Sequence, residues 1–250
     1  MRIFDGLVRH CDCGALSSPM TVRVSKLIAL ILCTIASLML PTGRIALAQN
    51  LPHSAAPADV EYVEIDTEAG LITLALDKAN APITAGNFLR YADEDRFDGT
   101  VFYRVMRLEW GTPPNGLVQG GTQGNPKRNR QPIAHEPTSE TGIKHEAGTI
   151  SMARFAVGTA AGDFSIMLSP QPGLDAQPDA QDPAARPGFA AFGYVVDGME
   201  VVRAIYDAPL SPTKGEGFLK GQMIENPIRI LDVRRVSAPQ PKAVPMPDTQ

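Results

Sequence analysis

Residues 101–122, V-F-Y-R-V-M-R-L-E-W-G-T-P-P-N-G-L-V-Q-G-G-T, read as a short β-rich run, a loop at 111–116 and a second short strand at 117–118 that leads into Gln119, and two of their polar side chains could do chemistry: Arg104 and Gln119. Strand alternation puts Phe102, Arg104 and Met106 on one face and Val101, Tyr103 and Val105 on the other. A guanidinium is very costly to bury alone, so Arg104 must be paired or face a wet groove, unless it lies on an exposed sheet face. Gln119 stands beside Gly120-Gly121, where a backbone can approach a ligand closely. A rigid, permanently charged donor fork beside an amide suits binding and charge stabilisation.

Other chemistries find less support. His135 and His145 flank a polar stretch with Glu136, Glu140 and Glu146, show no H-E-x-x-H spacing, and read as surface or loop histidines. His10-Cys11-x-Cys13 lacks four close ligands, so no metal is expected. Lys127, Arg128 and Arg130 form a basic cluster that could steer a substrate but reads more simply as a solvated loop.

The elements that must position Arg104 and Gln119 are mostly strands. Residues 60–66 alternate with Val63 and Ile65 inward, and after a turn at 67–70 Ile72, Leu74 and Leu76 run back as a hairpin. Pro82 opens a helix whose apolar face carries Ala85, Phe88, Leu89 and Ala92. Residues 148–153, 189–196 and 227–236 read as further strands, and residues 169–188 as a long Pro/Asp/Ala-rich loop. Asp197-Gly198-Met199-Glu200 has the order of a capping box, opening a second helix with Met199, Val202 and Ile205 on one side. Many short strands and two isolated helices fit a closed barrel without exposed edges.

The motifs F-Y-R-V, L-V-Q-G-G, G-T-I-S-M-A and F-G-Y-V, in this order, resemble those of the cyclophilins, the peptidyl-prolyl cis/trans isomerases. The likeness runs from Val60 to Val236 and implies an eight-stranded antiparallel barrel capped by two α-helices. It implies Arg104 as the catalytic donor to the twisted prolyl amide, with no cofactor and no metal. Gln119 would bind peptide backbone and orient Arg104. Leu117, Leu174 and Phe189 would line the proline pocket beside Phe102, with Ala153 and Arg154 at its edge. Residues 159–166 stand where the family has its S-Q-F-F-I strand, with Phe164 expected in the barrel core. There the chain departs: Asp163 replaces a Gln, and Ser165 replaces an aromatic pocket wall. The slot should be shallower and more polar, and Asp163 could pair with Arg104 or Arg154. Two functions follow: an isomerase for proline-containing peptides and unfolded clients, or a catalytically weak peptide-binding or chaperone module on the same fold.

Residues 1–48 read as an export leader. Arg23 and Lys26 precede an apolar run at 27–40, and Ala46-Leu47-Ala48 offers a cleavage site before Gln49. The run is short for a span of about 20 residues, so no stable membrane insertion is expected after cleavage. Met20 is an alternative start. Residues 49–58 form a linker, 59–237 the domain, and 238–250 a Pro-rich disordered tail. All three cysteines precede the cut, so the mature chain has no disulfide. The leader holds five of 23 Lys+Arg and two of 27 Asp+Glu, leaving 18 against 25, a net −7 that argues against nucleic acid. The expectation is a periplasmic or secreted monomer.

Overall fold

In the computed structural model, which describes residues 59–240, the chain begins with the expected hairpin. β1 (Val60–Thr67) and β2 (Gly70–Asp77) pair antiparallel around a two-residue turn. Val63, Ile65, Ile72, Leu74 and Leu76 are fully buried on one side, as the alternation requires. The leader, its cleavage point, the linker and the end of the tail lie outside the described residues.

Six more strands complete the sheet: β3 (Val101–Arg107), β4 (Gly116–Gly121), β5 (Thr149–Met152), β6 (Asp163–Met167), β7 (Ala191–Asp197) and β8 (Met223–Val236). They close as a barrel in the order β1-β2-β7-β5-β6-β4-β3-β8, every neighbouring pair antiparallel, with β8 returning to β1. Closure removes the unpaired edges that would invite another strand. The interior is packed with side chains, among them Val105, Val118, Ile150 and Ile166.

The helix α1 (Pro82–Asp93) packs on β2, β7 and β8 and brings Phe88 into an aromatic cluster. Its ring lies 4.8 Å from Phe97, 5.4 Å from Phe164 and 5.6 Å from Phe192, centroid to centroid. Phe164 is therefore a core residue. Ala81, which precedes α1, has no side chain able to cap it. Glu136, distant in sequence, does so: its carboxylate accepts from the backbone N–H groups of Ile83 (3.1 Å) and Thr84 (2.7 Å) and from the Thr84 hydroxyl (2.6 Å). An anion at a helix N-terminus satisfies orphan donors and complements the dipole. Glu136 is thus a buried cap, not part of a solvated polar stretch.

One turn of helix absent from the sequence reading, α2 (Thr138–Thr141), follows Glu136. The last helix, α3 (Met199–Tyr206), lays Val202 and Ile205 into the core against β2, β3 and β4. The capping-box order is not realised: the N-cap is Gly198, in the left-handed region at φ 89°, and no side chain caps the helix. Strand limits also differ. β6 starts at Asp163, because residues 159–162 form a loop, and β8 starts at Met223, reaching back toward β3.

Candidate active site

The site is made by an irregularity in β3. Opposite β4, Phe102 faces Gly120 and Arg104 faces Gln119, so Tyr103 is an extra residue in a β-bulge. The bulge cancels strict alternation. Phe102 and Val105 both point into the core, while Tyr103 and Arg104 together line a groove on the barrel wall. Phe102 therefore does not share a face with Arg104. It is fully buried, edge-on to Phe164 at 5.7 Å, and is no part of the groove. Close packing explains the Gly-Gly pair. A Cβ on Gly120 would lie 2.9 Å from the Phe102 ring, and one on Gly121 would lie 2.2 Å from the Gly162 carbonyl.

Arg104 is held from two sides. Its Nη1 donates to Gln119 Oε1 at 2.7 Å and its Nε to Gln222 Oε1 at 2.9 Å. Among the described residues Nη2 has no hydrogen-bond partner, and it is free to donate into the groove. Burial lowers the Arg104 pKa, but a guanidinium starts so high that the side chain stays charged. The chain of donors continues from Gln119 Nε2 to Tyr103 Oη (2.7 Å) and from that hydroxyl to Asp163 Oδ1 (3.2 Å). Asp163 also accepts from the backbone N–H groups of Gln123 (2.7 Å) and Gly124 (3.1 Å). It pairs with neither Arg104 nor Arg154. Burial raises the Asp163 pKa despite these donors, and burial, then the Asp163 charge, raises that of Tyr103.

The groove, about 650 Å³, runs from this network across β4, β5 and β6. Ser165 lies in its floor, paired with Gln119 on one side and Ser151 on the other. Leu117, Met106, Met167 and Leu174 give it apolar walls. At one edge lie Ala153 and Arg154, whose guanidinium stacks 4.6 Å over the Phe189 ring and donates to the Gly188 carbonyl. The groove therefore brings together every expected site residue except Phe102.

His145 is not a surface residue. Its Nδ1 lies 2.8 Å from Asp175 Oδ1 and its Nε2 2.8 Å from Ser151 Oγ, and the side chain is fully buried. Burial lowers its pKa against the opposing pull of Asp175, so the imidazole is neutral. A carboxylate can only accept, so Nδ1 carries the proton and Nε2 accepts from Ser151. The order Ser-His-Asp matches a hydrolase triad, but Ser151 is 2% exposed in a strand paired on both sides. The arrangement works as a strut: it ties β5 to the loop that holds Leu174. Among the described residues no three His, Cys, Asp or Glu side chains gather as a metal site.

The sequence model of the family described as cyclophilin type peptidyl-prolyl cis-trans isomerase/CLD matches residues 62–235. The chain belongs to the cyclophilins. Among its relatives is peptidyl-prolyl cis-trans isomerase A of Dickeya dadantii, 36% identical over 149 residues, covering 58% of this chain and 70% of the relative. The peptidyl-prolyl cis-trans isomerase of Acinetobacter baylyi is 33% identical over 177 residues, covering 69% and 84%. A solved structure of a Cryptosporidium parvum cyclophilin type isomerase, obtained in the presence of the dipeptide Ala-Pro, covers 71% of this chain and 100% of its own. Its TM-score is 0.55 at 20% identity, a likeness of fold.

Within this cyclophilin, three residues in contact with the Arg104–Gln119 pair escape a reading of the sequence. Tyr103 enters through the bulge, and Gln222 and Phe218 come from the loop before β8, more than a hundred residues beyond Arg104. The pairing of Tyr103 with Asp163 accounts for the carboxylate: an acceptor is needed for the hydroxyl and for two backbone donors at 123–124.

Proposed function

We propose that this protein catalyses cis/trans rotation about X-Pro bonds of polypeptides outside the cytoplasm. The observation that carries the reading is an Arg104 fork clamped at Nε and Nη1, with Nη2 open beside an apolar pocket. Rotation faces a barrier of about 18–20 kcal/mol from amide resonance, while cis and trans differ little in energy. No bond breaks and no proton is removed, so the requirement is a slot for the proline ring and a donor that favours the twisted amide. As conjugation is lost, the prolyl nitrogen pyramidalises and its lone pair becomes a hydrogen-bond acceptor. Arg104 Nη2 would donate to it, an interaction stronger in the transition state than in either ground state. The second Nε2 hydrogen of Gln119 would hold the peptide backbone, with the ring against Leu117, Met106 and Leu174.

A protease-free isomerisation assay on the purified protein, with Arg104→Ala beside it, tests this. Catalysis that disappears in the variant supports it. Peptide binding without rate enhancement in the wild type would favour the weak chaperone or binding module, the reading that Ser165 supports by removing an aromatic wall. The extracytoplasmic site rests on the leader at residues 1–48. Amino-terminal sequencing of the exported protein should begin at Gln49, and an intact leader on cytoplasmic protein would refute export.

A further inference from the structure

Phe218 is 72% exposed, yet its ring lies 5.7 Å from Arg104 Cζ and lines the same groove. Single exposed apolar side chains are ordinary. This one is mounted on a built loop. Leu219 N–H donates to Glu216 O at 3.0 Å, Gln222 N–H to Leu219 O at 3.0 Å, and Val105 N–H to Gln222 O at 2.8 Å. The last bond joins the loop to β3, and Gln222 is the residue whose side chain accepts from Arg104 Nε. The backbone that carries Phe218 is thus tied to β3 beside the guanidinium, and most of the ring faces solvent.

The floor of the groove, by contrast, has a small hydroxyl at Ser165. Leu219 and Met223 extend the apolar surface from Phe218 down to Arg104. Methionine adapts its shape to what it touches. We propose that Phe218 is a specificity-determining residue: it forms the outer aromatic wall of the groove and confers preference for peptides with an aromatic side chain directly adjoining the proline. A prolyl nitrogen at Arg104 Nη2 puts the neighbouring Cα one step of about 3.8 Å from the proline Cα. A phenyl ring on that residue reaches the Phe218 face. The inference rests on the proline-peptide reading of the groove and adds to it where the side-chain selectivity lies.

The test is titration calorimetry with three blocked peptides, Ala-Ala-Pro-Ala, Ala-Phe-Pro-Ala and Ala-Ala-Pro-Phe. They are titrated into the wild-type protein, Phe218→Ala, Phe218→Leu and Trp110→Ala, the last an exposed aromatic outside the groove. Wild type should bind at least one Phe peptide about three- to tenfold tighter than the all-Ala peptide, the scale of one aromatic pair. That ratio should fall to about one in Phe218→Ala, lie between in Phe218→Leu, and persist in Trp110→Ala. Equal affinity of wild type for all three peptides, or an unchanged ratio in Phe218→Ala, would overturn the proposal. Isomerisation rates measured on the same samples separate the two readings. Absent catalysis refutes the isomerase, while the affinity ratio still decides on Phe218; absent binding refutes both.

Discussion

Arg104 owes its orientation to acceptors on two different elements, Gln119 on β4 and Gln222 in the loop before β8. Arg104→Ala should lower kcat/KM by about tenfold to a thousandfold, about 1.4–4 kcal/mol, the range for one lost oriented donor. Arg104→Lys should not restore it, because the three donors of an ammonium diverge from one nitrogen and cannot reproduce the planar fork that meets Gln119 and Gln222 from separate nitrogens. One step along the network, Tyr103→Phe removes the hydroxyl joining Gln119 to Asp163. A neutral hydrogen bond nets about 0.5–1.5 kcal/mol, so kcat should fall by about two- to tenfold with KM little changed. A KM change without a kcat change would mean that Tyr103 touches peptide instead of holding Gln119. Ser165→Phe should raise kcat/KM if an open slot limits the rate; isomerisation of a folded variant at the wild-type rate would rule that out.

Among elements, two polar struts brace the barrel and carry no chemistry. The first is Glu136, which replaces the missing cap of α1 with bonds to Ile83 and Thr84. Glu136→Ala leaves the Thr84 N–H and hydroxyl buried and unpaired, and should cost about 1–3 kcal/mol in urea unfolding. Glu136→Gln keeps one acceptor oxygen and should recover part of the loss. Neither change should alter kcat/KM where the protein is folded, since α1 lies outside the groove. The second strut is His145, between Ser151 of β5 and Asp175, the residue after Leu174.

For the whole molecule the same histidine couples stability to acidity. Burial holds its folded pKa below the ordinary value of about 6.5, although Asp175 pulls upward and Lys144 downward. The unfolded chain therefore takes up the proton first. The contribution of neutral His145 is complete above about pH 6.5 and is lost as pH falls from there through the folded pKa. The slope is at most about 1.4 kcal/mol per pH unit for one group. Urea midpoints measured between pH 7 and 5 should decline, and His145→Gln should flatten that segment. The paired Asp93, whose pKa the Arg235 guanidinium lowers, loses its contribution only at more acid pH, below about 3.9. An undiminished slope in His145→Gln would assign the decline to other groups.

Local periodicity determined much of this protein. The alternation of Val63, Ile65, Ile72, Leu74 and Leu76 specified the hairpin and its buried face, and the apolar stripe after Pro82 specified α1. The short motifs around Arg104, Gln119 and Ser151 marked the fold and the polar pair at its groove. Those signals are legible because each depends on residues close in sequence. The rest depended on contacts between distant residues. A one-residue bulge put Tyr103 and Arg104 on the same face and Phe102 on the other, a break that a period of two cannot express. Burial of His145 and the capping role of Glu136 follow from partners 30 and 52 residues away, which no local pattern predicts. Phe218 and Gln222 reach Arg104 only because closure of the barrel lays β8 beside β3.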